Sequence, residues 1–372
     1  MSAVPSPNAT ARAPHVLMTL DAVGGVWRYA MDLASALARR GYDFTFVGLG
    51  PNPTPAQRAE AERHGHLIWL DAPLDWLAED EAQLDTIPAL ISALVAELGI
   101  DMVHLNLPSQ ACELALDIPI LVVSHSCVVT WFAAVRQSSV PNDWLWQLRR
   151  NRGGFDAADA VLAPSRAHAD MLRASYGPID GLDVVYNGTR ADLAPTRKEA
   201  LVFAAGRWWD DGKNGALLDA AAGHSVWPVN MAGPCLGPNG QQSELRCARA
   251  LGELPHAEVV GWMARAAIVA SPSRYEPFGL APLEAAKAGA ALVLADIPTY
   301  RELWDGAALF ASTDDPEAFA SALNRLASDD AMRHEYAMQA RQRSRRYTLD
   351  AQVSAMEAVY DRLLRPSAAR EA

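Results

Sequence analysis

The feature that most constrains this chain is an alternation that runs once, stops and starts again. Strand-length apolar runs stand at HVLMTL (15–20), FTFVGLG (44–50), HLIWL (66–70), MVHLN (102–106), PILVVSH (119–125), DAVLAPS (159–165) and LDVVYNG (182–188). Helical patterns lie among them. VWRYAMDLASALARRG (26–41) has apolar residues at 26, 30, 33 and 37 and a glycine stop, and IPALISALVAELG (87–99) ends at Gly99. Strands separated by helices of this length imply right-handed βαβ units and a parallel sheet covered on both faces. The pattern restarts with the strand ALVFAAGR (200–207) and the helix KNGALLDAAAG (213–223). Further strands are read at PVNMAGP (228–234), AEVVG (257–261), IVASPS (268–273) and ALVLAD (291–296).

Two halves of one design in 372 residues fit two domains of ordinary size. They meet near Asn187-Gly188, a pair that reads as a hinge because both residues tolerate positive φ. TLDAQVSAMEAVYDRLL (348–364) reads as an amphipathic helix with Thr348 as its N-cap. The expected organisation is a disordered arm at 1–14, a first domain at 15–187 and a second at 188–346. A last helix and frayed tail then occupy 347–372.

Composition removes several classes of function. The 32 basic and 44 acidic residues leave a net charge of −12, a poor match to a general nucleic-acid binder. No apolar run approaches the ~20 residues of a membrane span. The N-terminal residues have no signal-peptide layout, so the expected location is cytoplasmic. Cysteines 112, 127, 235 and 247 show neither CxxC nor zinc-site spacing and read as buried free thiols. No short repeat, P-loop or GxSxG is present.

In doubly wound sheets the ligand sits beyond the carboxyl ends of the strands, and four places there can carry chemistry. Gly24-Gly25 follow the first strand in DAVGGVWRY. They allow close approach to a ligand at a helix start, although a plain tight turn explains them as well. Arg207 and Lys213, in GRWWDDGKN, flank a strand end and a helix start. Two cations there can converge on a diphosphate, and lysine is rare in this chain, found only at 198, 213 and 287. The alternative is a pair of surface cations beside Asp210 and Asp211.

The segment SRYEPFGLAPLE (273–284) is the most informative. Pro282 suits the first turn of a helix, so the amides of Phe278, Gly279 and Leu280 point out of its start toward an anion. Glu284 lies further along and can take two ribose hydroxyls, or simply favour the helix dipole. Glu276 can hold a sugar hydroxyl or a developing positive charge. Finally, His104 and His125 both end strands; each alone reads first as structural, and together they suggest one functional histidine.

Taken together, these segments resemble a family 4 glycosyltransferase of the GT-B fold, over about residues 15–364. The resemblance rests on GGVWRYAMDLASALARRGYDFTFVG, VVSHS, the hinge NG, GRWWDDGKN, AGP (232–234) and above all EPFGLAPLEAAKAG. It implies an α/β structure of two doubly wound Rossmann-like domains facing across a cleft, with the last helix crossing back to the first domain. It implies a retaining, metal-independent hexosyl transfer from a nucleotide diphosphate-sugar, without further cofactor. In that reading Arg207 and Lys213 neutralise the diphosphate, and Glu284 binds the ribose. Glu276 and the amides of Phe278, Gly279 and Leu280 hold the sugar and phosphate. His125 contacts a donor sugar hydroxyl, and Gly24 and Gly25 close over the diphosphate from the first domain. TRADLAP after the hinge and the stretch 235–256 depart from the family's usual pattern, which leaves the base open.

Competing readings are a non-catalytic nucleotide-sugar binder of the same fold, a phosphorylase or epimerase, and an NAD(P) oxidoreductase. The last lacks GxGxxG after either first strand. The acceptor is unassigned: a small molecule, a glycan or a lipid-linked sugar. TWFAAVRQSSVPNDWLWQLRRNR (130–152) reads either as a helical hairpin with aromatics packed inward or as an acceptor wall or peripheral membrane contact.

Overall fold

A computed structural model of the chain describes residues 12–190 and 196–365. The first eleven residues of the expected arm and the tail from 366 fall outside these. Residues 12–14 are tied to the first domain: Arg12 pairs with Asp101 at 2.7 Å, and the Pro14 carbonyl accepts from the Asp43 amide at 2.9 Å.

Seven strands form the first sheet: β1 (His15–Leu20), β2 (Asp43–Gly48), β3 (His66–Trp69), β4 (Met102–Leu105), β5 (Ile120–Val123), β6 (Ala160–Ala163) and β7 (Leu182–Val184). All pair in parallel, in the order β3-β2-β1-β4-β5-β6-β7. Around them lie α1 (Gly25–Ala38), α2 (Pro55–Ala61), α3 (Ile87–Leu98), α4 (Val128–Trp131), α5 (Leu145–Ala157) and α6 (Arg166–Tyr176). Strand β1 shows why its residues make a central strand. Val16, Met18 and Leu20 enter the core on the α1 side, while Leu17 enters the opposite core with Val103 and Val122. An alternating strand can feed two layers only if both faces are covered.

The second sheet holds β8 (Glu199–Ala205), β9 (Val229–Ala232), β10 (Arg249–Gly252), β11 (Ala266–Ser271), β12 (Ala291–Ala295) and β13 (Leu309–Ala311). It too is parallel, in the order β10-β9-β8-β11-β12-β13. Its helices are α7 (Gly215–Ala222), α8 (His256–Arg265), α9 (Leu280–Lys287), α10 (Pro298–Trp304), α11 (Pro316–Ser328) and α12 (Asp330–Ser344).

One expected strand is a helix. AEVVG lies within α8, where Val259, Trp262 and Met263 form one apolar face against the core. The adjacent valines mimic a strand, but the 3.6-residue period wins. The strand of that region is β10, an exposed edge strand whose RALG has no apolar run to announce it.

The chain returns through α13 (Leu349–Leu364), capped by Thr348, whose hydroxyl accepts from the Ala351 amide at 3.1 Å. Leu349, Val353, Met356, Val359, Tyr360 and Leu363 complete the core over β1 and α1, so the last helix does cross back to the first domain. Gly188 serves this crossing in an unexpected way. Its φ is not positive. Instead a Cβ there would stand 2.3 Å from the Thr348 carbonyl oxygen, so glycine is required by close backbone approach, not by hinge conformation. Gln352 closes the crossing: its Oε1 accepts from the Gly188 amide at 2.8 Å.

Candidate active site

Each sheet reverses its winding once, between β1 and β4 in the first and between β8 and β11 in the second. The carboxyl ends at those points deliver Asp21–Gly25 and Asn106 from one side and Gly206–Lys213 and Pro272–Glu276 from the other. They meet around one cavity of about 710 Å³. Gly24, Gly25, His125, Arg207, Lys213, Glu276, Phe278, Gly279 and Leu280 all line it.

The glycine loop is shaped by Asp21, whose Oδ1 accepts from the amides of Val23 (2.8 Å) and Gly24 (3.2 Å). Burial raises the Asp21 pKa, against the pull of these amides and of Arg207. The two glycines reach the other domain directly. A Cβ on Gly24 would stand 3.2 Å from Arg207 Nη1, and one on Gly25 would stand 3.9 Å from Leu280 Cδ1. Neither glycine uses a positive φ, so their value is proximity.

Across the cleft, Lys213 Nζ donates to Glu276 Oε2 at 2.5 Å, with both side chains largely buried. Asp210 holds the loop between them. Its Oδ1 accepts from the Gly212 amide at 2.8 Å, and its Oδ2 lies 3.5 Å from Arg207 Nη2. Arg207 also lies over the Trp209 ring, 5.4 Å from its centroid. Of the three lysines, Lys213 lines the cavity. Lys198 donates to the carbonyls of Ala264 and Ala288, both at 2.8 Å, burial lowers its pKa to about 8, and Lys287 donates to the Thr189 carbonyl. Gly279 adopts φ +90 and opens α9, whose first amides have no acceptor within the helix. Phe278 contributes through its backbone, since its ring is buried edge-on against Tyr347.

Two sequence candidates are placed differently. Glu284 is not on the cavity wall. It is a 4% exposed residue of α9, and its Oε1 takes hydrogen bonds from His256 (3.2 Å) and Thr189 (3.5 Å). His104 is fully buried in the first core, its Nδ1 bonded to the Tyr360 hydroxyl at 2.7 Å, so the structural reading holds for it. His125 is the histidine that reaches the cavity. Its Nε2 lies 2.8 Å from Asn106 Oδ1, whose amide nitrogen is committed to the Thr19 carbonyl at 2.6 Å. An amide oxygen accepts, so Nε2 carries the proton and Nδ1 is left as the acceptor. Burial lowers the His125 pKa to about 3, which keeps the ring neutral at pH 7.

Sequence reasoning missed Asp21 and His256, and it named Asp210 only as an ion-pair partner of the two cations. Asp21 and Asp210 each follow a strand end and precede the glycine or cation they support; that offset was the available signal. His256 closes the stretch 235–256, legible only as a departure from the family pattern, and it opens the helix misread as a strand. The four cysteines are free, as expected, but only Cys127 is buried and Cys247 is exposed. Among the described residues no helix is long and apolar enough to cross a membrane.

Two doubly wound domains, facing across a cleft and locked by a returning last helix, define the GT-B class of glycosyltransferase. Comparison with known structures agrees. Sucrose-phosphate synthase from Thermosynechococcus elongatus superposes with a TM-score of 0.78 at 18% identity, over 94% of this chain and 99% of that one. HepE of Anabaena, solved in complex with UDP and glucose, gives 0.74 at 17%, over 94% and 99%. In sequence, residues 23–193 match the Glycosyltransferase Family 4 model and residues 247–343 the Glycosyl transferases group 1 model. A D-inositol 3-phosphate glycosyltransferase of Xylanimonas cellulosilytica is 27% identical over 91% of each chain, and a glycogen synthase of Mycobacterium tuberculosis is 24% identical over 86% of each. The chain belongs to glycosyltransferase family 4 and is a glycosyltransferase.

Proposed function

We propose that this enzyme moves a hexose from a nucleoside diphosphate-sugar to an acceptor hydroxyl, with retention of anomeric configuration and without a metal ion. The observation that carries the reading is the Lys213–Glu276 pair at 2.5 Å beside Arg207, opposite Gly24-Gly25 in one cavity. A leaving diphosphate needs fixed positive charge aimed at it, and cations plus helix-start amides supply that by preorganisation. HepE, of the same fold, has been solved with UDP-glucose, which supports a donor of this class.

In the reaction, Arg207, Lys213 and the amides of Phe278, Gly279 and Leu280 hold the diphosphate. Gly24 and Gly25 close over it. Lys213 leaves Glu276 for the phosphate, which frees the Glu276 carboxylate for a sugar hydroxyl. Neutral His125 accepts a hydroxyl hydrogen bond at Nδ1. Glu284 binds the ribose once a ribose hydroxyl displaces His256. The bond from the anomeric carbon to the phosphate oxygen breaks, and the acceptor oxygen bonds to that carbon on the same face. The acceptor proton passes to the departing phosphate oxygen. This route needs no enzyme nucleophile, and the oxocarbenium-like sugar is flanked by carboxylate and carbonyl oxygens.

The test begins with a thermal-shift panel of UDP, GDP, ADP, CDP, their common sugars, NAD and NADP. One nucleoside diphosphate is expected to stabilise the protein, and Lys213→Ala and Glu284→Ala to abolish the shift. Stabilisation by NAD or NADP alone would overturn the donor assignment. NMR of the product fixes the anomeric outcome, and activity is expected to survive EDTA. A glycosyl-enzyme adduct in the mass spectrum would rule out the same-face route.

A further inference from the structure

The wall of the cleft opposite the cations is aromatic. Trp76, Trp131, Phe132 and Trp144 all line the cavity from the first domain, and all are half-buried. They form one surface: Trp131 and Phe132 meet edge to face at 5.3 Å, and Phe132 and Trp144 lie 6.0 Å apart. Trp76 stacks on Trp209 of the second domain at 6.5 Å, and both rings line the cavity. The expectation for residues 130–152 therefore divides. Trp146 is packed inward, as a hairpin requires, while the other three aromatics face the cavity. The indole N–H of Trp131 is already committed to Asp210 Oδ1 at 2.9 Å. What that ring has left for a ligand is apolar surface on the side not covered by Arg136.

Charge narrows the ligand. Among the described residues the cavity is lined by three cations, Arg136, Arg207 and Lys213. Arg207 and Lys213 belong to the donor side. Arg136 stands at the rim, paired with Asp211 at 2.5 Å and lying 4.9 Å over Trp131. The aromatic wall itself carries acids. Asp21 lies at one end, and Asp75 is 3% exposed beside Trp76, with its Oδ2 buried and without a hydrogen-bond partner. A hydroxyl can donate to such an oxygen, whereas an ionised phosphate or carboxylate oxygen has no proton to give it.

We infer that this wall is the acceptor subsite and that the acceptor is a neutral pyranoside, stacked by its C–H face on Trp131, Phe132 and Trp144 and read at its hydroxyls by Asp75. The inference rests on the donor assignment above and names the substrate class of the same cleft. Flat apolar faces edged by hydroxyls match indole and phenyl rings flanked by a carboxylate. A sugar phosphate fits a wall with a free cation, which this one lacks.

The experiment measures transfer from the donor found by thermal shift to methyl pyranosides, to the matching sugar 6-phosphates and to a simple aryl alcohol. Methyl pyranosides are expected to be used best, with kcat/KM for the phosphates lower by about tenfold or more. Trp144→Ala and Phe132→Ala are expected to raise acceptor KM about tenfold, the worth of one stacked ring. Calorimetric affinity for the nucleoside diphosphate should stay within about twofold, which shows that these variants are folded. Trp144→Phe keeps a platform and should stay near wild type. Preference for a phosphate or the aryl alcohol, or unchanged acceptor KM in both alanine variants, would overturn the inference. If the wild-type protein bound no nucleoside diphosphate, the donor assignment would fall and this one with it. If it bound one and ignored every neutral pyranoside, only this inference would fall.

Discussion

Replacing Lys213 by alanine separates what that side chain does for the fold from what it does for the reaction. Lys213 Nζ stands 2.5 Å from Glu276 Oε2, with the two side chains 21% and 15% exposed. Loss of the cation leaves a largely buried carboxylate without its partner. A fully buried pair broken this way costs about 3–5 kcal/mol, and the residual exposure reduces that to about 1–2 kcal/mol here. For domains of this size the midpoint should fall by roughly 2–8 °C. The catalytic loss is separate. A fixed charge aimed at a leaving group is worth about 10²–10³ in kcat. The assay is kcat with saturating donor, alongside thermal unfolding, for Lys213→Ala, Glu276→Gln and the double variant. Glu276→Gln in the Lys213→Ala background neutralises the orphaned carboxylate, so the double variant should regain most of the lost stability and none of the lost rate. If Lys213→Ala kept kcat within about threefold, or if the double variant recovered rate together with stability, the assignment of Lys213 to the leaving phosphate would be wrong.

Other perturbations follow from the same geometry. Gly24→Ala places a Cβ 3.2 Å from Arg207 Nη1, the mobile end of a side chain; stability should change by less than about 0.5 kcal/mol while donor kcat/KM drops about tenfold, which steady-state kinetics and urea unfolding together would show. Gly188→Ala drives a Cβ to within 2.3 Å of the Thr348 carbonyl oxygen, which is backbone and cannot move alone. A loss of about 2–3 kcal/mol in urea unfolding is expected, and an unchanged midpoint would refute the close-approach argument. Tyr360→Phe removes the hydroxyl that meets buried His104 Nδ1 at 2.7 Å, and should lower stability by about 1–2 kcal/mol. The hydrogen bond to Glu284 raises the His256 pKa. Its stabilisation is therefore full below about pH 6.5 and is lost as pH rises through the raised value. Comparing the unfolding midpoint of wild type and His256→Ala across that range should show the difference shrinking upward in pH, and a constant difference would dismiss the ion pair.

Much of the fold was readable because parallel strands covered on both faces announce themselves as apolar runs. HVLMTL and ALVLAD needed no context, since almost every residue in them is buried. The failures share a cause. Edge strand β10 buries almost nothing, so RALG carries no signal. The Val259-Val260 pair carries a strand signal inside a helix whose face is set by tertiary packing. At Gly188 the residue was legible but its reason was not. Glycine permits both positive φ and close approach, and only the position of Thr348, far away in sequence, decides between them. In the site, the groups on the cleft surface were found from strand ends, while their supports were not. Asp21 and Asp210 act through hydrogen bonds to neighbouring amides and to Trp131, partners that a linear sequence does not place.

Contacts between the two domains converge on the loops that carry the cations, and they link the aromatic wall to the cation loop. Trp131 and Arg136 bind Asp210 and Asp211 on either side of the turn between Arg207 and Lys213. Thr130 meets the Tyr275 hydroxyl at 2.8 Å, one residue before Glu276. Ser165 donates to the Pro277 carbonyl at 2.7 Å, one residue after it. The segment that supplies the aromatic wall therefore also fixes the position of Arg207, Lys213 and Glu276. Separating the two domains would break these bonds and remove the first domain's support from the cation loop. On the proposed donor assignment, the charge meant for the diphosphate is best preorganised while the aromatic wall is in place.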